Sequence, residues 1–161
     1  MAEQALPQRP LRRPSVGHTI LVADRDELSR TATAAILQRL NFEVVEADSS
    51  RSALNQARHG PYACVILDLN LMEGGSFDLC RRLLDRAGWD WTPVIFTSAR
   101  QPQLEVRMEM LAAGFDHLAK PFRADQLLAC LGDALARAGE MESLRPDRDL
   151  ALSLAEEAVG R

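Results

Sequence analysis

The chain reads as an α/β protein built on a parallel sheet with helices on both faces. Two observations predict this. Short apolar runs of strand length alternate five times with segments of helical spacing. Two of the runs, CVILD and TPVIFT, have apolar centres with polar residues only at their ends, as strands buried on both sides do. A third observation hints at use: the first run, in ILVADRDE (20–27), ends abruptly in charge.

The strands are expected at 19–23, 42–47, 63–67, 94–97 and 115–119. FEVVEA (42–47) keeps acids inside its run, which suits an edge strand. Leu28, Ala32, Ala35, Ile36 and Leu40 are expected on one face of the first helix, and Ala53, Leu54 and Ala57 mark a shorter second helix. Phe77, Cys80, Leu83, Leu84 and Ala87 form the apolar face of the third, and Leu104, Met108 and Leu111 that of the fourth. Leu127, Leu128, Leu131 and Leu135 close the series. Val106 and Met110 fall off the fourth helix's main apolar face and are expected as an output surface.

Residues 1–17, rich in Pro, Arg and Gln, read as a flexible arm. Its Arg9, Arg12 and Arg13 either stay solvated or touch an acidic partner or membrane surface. Residues 138–161 read as a tail in which Leu150, Ala151, Leu154, Ala155 and Ala158 mark a short amphipathic helix. The body between them, 18–137, is one domain with a proper core.

A net charge of −4 on 161 residues argues against a nucleic-acid binder working through a general basic field. No apolar run reaches the roughly 20 residues of a membrane span, and the start has no signal-peptide core. Cys64, Cys80 and Cys130 lie far apart in apolar segments and read as structural thiols of a reducing cytosol, so the expected location is cytoplasmic. His18, His59 and His117 form no metal motif. The first loop, ADRDELSR, has no glycine to approach a nucleotide phosphate, and no G-x-S-x-G elbow is present.

Ligands of an open parallel sheet bind outside the carboxyl ends of its strands. The first strand ends in Asp24, Arg25 and Asp26, the third in Asp68, the fourth in Thr97 and Ser98, the fifth in Lys120. Clustered carboxylates favour a hard cation such as Mg²⁺. A lysine and a hydroxyl can hold phosphoryl oxygens, and a carboxylate can attack phosphorus to give an acyl phosphate. Asp68, after a rigid apolar run, is the best nucleophile. Taken singly, Asp24 or Asp26 could do no more than cap the first helix.

ILVADRDE, CVILDLNLMEGG, PVIFTSA and AAGFDHLAKPF, in this order and spacing, resemble the receiver domain of bacterial response regulators over about residues 18–137. The resemblance implies a flavodoxin-like three-layer sandwich with strand order 2-1-3-4-5 and five helices, to which the tail adds a short C-terminal helix. It implies that Asp68 accepts a phosphoryl group, that Asp24 belongs to an acidic pocket, and that Ser98 and Lys120 bind the phosphoryl group. It places His117 at the family's aromatic switch position and Asn70 where a backbone carbonyl binds the metal. It implies an Mg²⁺ held by Asp24, Asp68 and the Asn70 carbonyl, and a cis Lys120–Pro121 bond. Implied partners are a sensor histidine kinase or phosphotransfer protein and a downstream protein. A homodimer through the fourth-to-fifth-helix face or the C-terminal helix is a further expectation. With no output domain following in this sequence, a stand-alone, chemotaxis-type receiver is expected. Its only chemistry would be self-catalysed phosphoryl transfer and dephosphorylation.

Four departures stand against the pattern. Arg25 replaces the second acid of the pair, exchanging a negative charge for a positive one. Either its guanidinium takes the metal's place against Asp68, or it points outward and Asp26 substitutes. Met72 stands for the usual proline, the segment from Gly114 to Lys120 is one residue short, and His117 is less apolar than the usual ring. The alternative to a phosphorylated receiver is therefore a pseudo-receiver, a phosphorylation-independent interaction scaffold.

Overall fold

A computed structural model describes residues 19–71, 77–86, 88, 89 and 92–144. The expected arm, Met72, the Gly74–Gly75 turn, Ala87 and the tail beyond Leu144 lie outside the described residues. Five strands, β1 (Thr19–Ala23), β2 (Glu43–Ala47), β3 (Cys64–Asp68), β4 (Val94–Ser98) and β5 (Asp116–Ala119), pair in parallel in the order β2-β1-β3-β4-β5. Five α-helices alternate with them: α1 (Glu27–Arg39), α2 (Ser50–Gln56), α3 (Asp78–Leu84), α4 (Leu104–Ala112) and α5 (Ala124–Leu144). Each strand lies within one residue of its expected bounds. Every residue of β3 and β4 is buried, whereas β2 exposes Glu43 and Glu46 and lies at the sheet edge.

Alternate strand residues point to opposite faces and build two cores. Leu21, Val65, Leu67 and Phe96 pack with Leu83, Met110 and Phe115 on one face. Ile20, Val22, Ile66 and Ile95 pack with Leu37, Leu127 and Leu131 on the other. The first core is tied by edge-to-face ring contacts, Phe77 to Phe96 at 5.5 Å and Phe96 to Phe115 at 5.6 Å between centroids. Buried Trp89 sets its ring edge-on to Tyr62, whose hydroxyl donates to the Gln56 carbonyl at 2.6 Å.

Local chemistry fixes the helix ends. The Asp26 carboxylate caps α1 by accepting from the Ser29 N–H at 2.9 Å, and the Ser49 hydroxyl caps α2 through the Ser52 N–H at 3.0 Å. Just beyond α4, Gly114 takes φ +82°, a left-handed turn that a glycine enters without Cβ strain. The Lys120–Pro121 bond is cis, as the resemblance implied.

Three helices depart from expectation. On α1 the buried set is Thr33, Ala34 and Leu37, while Leu28 is 79% exposed. The Thr33 hydroxyl donates to the Ser29 carbonyl at 2.9 Å, so a polar residue is satisfied on the core side by its own helix. On α4 the expected faces are exchanged. Met110 is 1% exposed and Val106 packs against the core, whereas Leu104, Met108 and Leu111 are 63%, 60% and 68% exposed. Val106, Met110 and Ala113 repeat at the same helical spacing as Leu104, Met108 and Leu111, two residues out of phase. Two residues are about 200° of helix, so the sequence offers two opposite apolar stripes and tertiary packing chooses. The proposed output pair is therefore core, and the supposed core trio is surface. Finally, α5 runs through Gly139 to Leu144, past the expected limit at 137. On it Leu127 and Leu131 are buried, Leu135 half-buried, and Leu128 largely exposed.

Candidate functional site

The strand mouths bring Asp24, Asp68 and Lys120 into contact. Asp24 follows β1, Asp68 ends β3, and Lys120 follows β5. The Lys120 ammonium donates to Asp24 Oδ2 at 2.8 Å and to Asp68 Oδ1 at 3.2 Å. Both carboxylates are buried, so these are charge-assisted bonds in a site of low effective dielectric. The two carboxylates thus share the Lys120 ammonium.

Asp24 is held from all sides. Its N–H donates to the Ala47 carbonyl at 2.9 Å, and its own carbonyl accepts from Arg30 Nη1 at 2.9 Å. Its carboxylate accepts from the Asp26 N–H at 3.0 Å and the Ser29 hydroxyl at 2.8 Å. Arg30 is anchored in turn by Glu46 of the neighbouring strand at 3.0 Å. Ser29 and Arg30 were not anticipated as site residues. The signal was present, two polar residues in the first turn of the helix that leaves the acid, but only the helix's placement turns them towards Asp24.

The electrostatics follow from burial. Burial pushes the Asp68 carboxyl above its ordinary range, and Asp24 adds to the effect, against Lys120 and the Asn70 backbone N–H, which favour the anion. Burial works against the Lys120 charge, but Asp24 and Asp68 outweigh it and raise its pKa. The net picture is a fixed ammonium beside a carboxylate reluctant to ionise.

Ser98 ends β4, and its carbonyl accepts from the Lys120 N–H at 2.9 Å, so its backbone abuts the lysine. Its hydroxyl is directed elsewhere, donating to the Arg100 carbonyl at 2.6 Å and lying 2.8 Å from His117 Nε2. His117, on β5 opposite Phe96, is half-buried; burial and nearby Arg107 lower its pKa. Asp26 is exposed, with its carboxylate on the N-terminus of α1: of the two roles the sequence left open for it, helix cap and substitute acid in the pocket, it takes the cap. Arg25 is exposed beside it. Asn70 lies in a 3₁₀ turn, Leu69–Leu71, directly after Asp68.

Asp24, Asp68 and the Asn70 carbonyl are oxygen donors of the kind Mg²⁺ takes, and a magnesium ion usually needs only one or two protein carboxylates beside its waters. Two buried acids sharing the Lys120 ammonium suit a cation. Among the described residues no cluster of three His, Cys, Asp or Glu side chains forms a denser metal site.

Comparison with known proteins agrees with this geometry. Residues 20–132 match the response regulator receiver domain family. The chain is 32% identical to the transcriptional regulatory protein CseB of Streptomyces coelicolor, over 76% of this chain and 50% of that protein. It is 32% identical to the transcriptional regulatory protein KdpE of Mycobacterium tuberculosis, over 76% and 54% respectively. The chain thus spans about half the length of the curated relatives it matches. A putative response regulator from Chloroflexus aurantiacus superposes with a TM-score of 0.65 at 28% identity, covering 74% of this chain and 98% of that one. The receiver domain of the Pseudomonas aeruginosa sensor histidine kinase PA1611, described with a magnesium ion coordinated in its active site cleft, gives 0.64 at 25% identity, covering 74% and 98%. Motifs, strand order and family match converge: this chain belongs to the receiver-domain family of two-component response regulators.

Proposed function

We propose that the domain accepts a phosphoryl group on Asp68 from the phosphohistidine of a sensor histidine kinase or phosphotransfer protein, and signals by binding a downstream partner. The observation that carries this reading is the Lys120 ammonium bridging two buried acids from separate strands. An Asp68 carboxylate oxygen attacks phosphorus, the P–N bond to the donor imidazole breaks, and the electron pair leaves with the nitrogen. Lys120 is placed to move from the carboxylates onto the incoming phosphoryl oxygens, offsetting charge where it accumulates. Ser29, Arg30 and the β2 contact hold Asp24 so that the lysine stays aimed at Asp68. Asp24, Asp68 and the Asn70 carbonyl would hold Mg²⁺, which when bound supplies charge neutralisation at the phosphoryl group. Loss of the phosphoryl group to water would use the same residues.

A surface is available for output. Leu104, Met108 and Leu111 form an exposed apolar stripe along α4, and Leu128 of α5 is 47% exposed. This stripe is the face we assign to a downstream partner or to pairing of two copies. No described helix is long and apolar enough to cross a membrane, and a cytoplasmic setting suits the proposed donors.

The second reading is a scaffold on the same fold without phosphate chemistry. Arg25 favours it, since a positive charge stands where the family has an acid. Reaction with a small phosphodonor and Mg²⁺, followed by intact mass, separates the two. Wild type is expected to gain one phosphoryl group and Asp68→Ala none. An inert wild type beside a reactive Arg25→Asp variant would establish the scaffold.

A further inference from the structure

The Ser98 hydroxyl carries one proton and sits between two partners. Arg100 offers it a backbone carbonyl, which can only accept, at 2.6 Å. The proton therefore points at Arg100. The other contact, His117 Nε2 at 2.8 Å, can then be made in one sense only: Nε2–H donates into an oxygen lone pair of Ser98. This assigns the tautomer, with hydrogen on Nε2 and none on Nδ1 in the neutral ring. Burial beside Arg107 favours that neutral ring.

We propose that His117 is a positioning residue for Ser98: by donating from Nε2–H it keeps the Ser98 hydroxyl proton on the Arg100 carbonyl, so Ser98 can serve a phosphoryl group on Asp68 only after this pair is broken. Phosphoryl oxygens accept hydrogen bonds, and a Ser98 whose proton is committed elsewhere has nothing to donate. Turning it towards the pocket forfeits two hydrogen bonds at a side chain too buried for water to replace them readily. A hydrocarbon ring at position 117 would fill similar space but could hold no proton donor against Ser98. The imidazole thus adds a threshold to the switch.

The proposal rests on the reading of Ser98 as the phosphoryl-binding hydroxyl, and two measurements keep the two ideas apart. Nitrogen-15 NMR of the imidazole in the phosphate-free protein is expected to give the Nε2–H tautomer for His117, and Ser98→Ala is expected to abolish that preference. An Nδ1–H ring, or a spectrum indifferent to Ser98→Ala, overturns the proposal. Binding of beryllofluoride, a phosphoryl mimic, is expected to tighten about fivefold in His117→Phe, the worth of one net hydrogen bond. His117→Gln, whose amide N–H can take the place of Nε2–H, should restore wild-type affinity. Equal affinity in all three overturns the positioning role. Absence of mimic binding in every variant, with the expected imidazole spectrum intact, sinks the acceptor reading and with it the role of the hydrogen bond in switching.

Discussion

At the scale of single residues, the site trades stability for chemistry. Asp68 is buried beside another acid, and its folded-state pKa lies above the ordinary value of 3.8. For an acid so shifted the unfolded chain ionises first, so this group's contribution to stability falls as pH rises from that value through the raised one. Asp68→Asn removes the buried charge while Lys120 keeps Asp24. It should stabilise the domain at pH 7 by about 1 kcal/mol and flatten that part of the pH profile in urea titrations. Lys120→Met leaves two buried acids without their counter-ion and should cost about 3 kcal/mol. His117 has the opposite sign. Its pKa is lowered from 6.5, so its contribution is complete above 6.5 and is lost as pH falls towards the folded value. Urea denaturation at pH 7.5, 6 and 5 should show a steeper loss in wild type than in His117→Gln.

At the scale of elements, strands were legible and two helix faces were not. A run such as CVILD has one reading in a parallel sheet, because both of its faces are covered. Helix α4 has two, since Val106–Met110–Ala113 and Leu104–Met108–Leu111 are equally periodic. More apolar bulk lies in the second set, and bulk alone pointed the wrong way. In α1 a threonine bonded to its own backbone was indistinguishable from a surface residue until packing was seen. The exchange on α4 is measurable. Met110→Ala should destabilise by about 2–4 kcal/mol in denaturant titration, whereas Met108→Ala should stay within about 0.5 kcal/mol. Equal costs would return the helix to the orientation expected from sequence.

At the scale of the whole molecule, five strand ends do the assembling. Asp24, Asp68 and Lys120 are up to 96 positions apart, yet each could be named because it terminates a run that must be a strand. Their convergence was legible for that reason. The parts that were not depend on side-chain rotation after the backbone is fixed: Ser29 turning to Asp24, Asp26 turning to its helix, and the Ser98 hydroxyl turning to Arg100. The fold thus places the acids and the ammonium together by topology, and the loops then decide how freely they act.

The central claim is that these strand ends form one acceptor pocket with Asp68 as its nucleophile. The most direct measurement is to treat the protein with phosphodonor and Mg²⁺, reduce with borohydride, and map the product by peptide mass spectrometry. Borohydride converts an aspartyl phosphate to homoserine. The account predicts homoserine at position 68 and nowhere else; homoserine at position 24, or at no position in wild type, would contradict it.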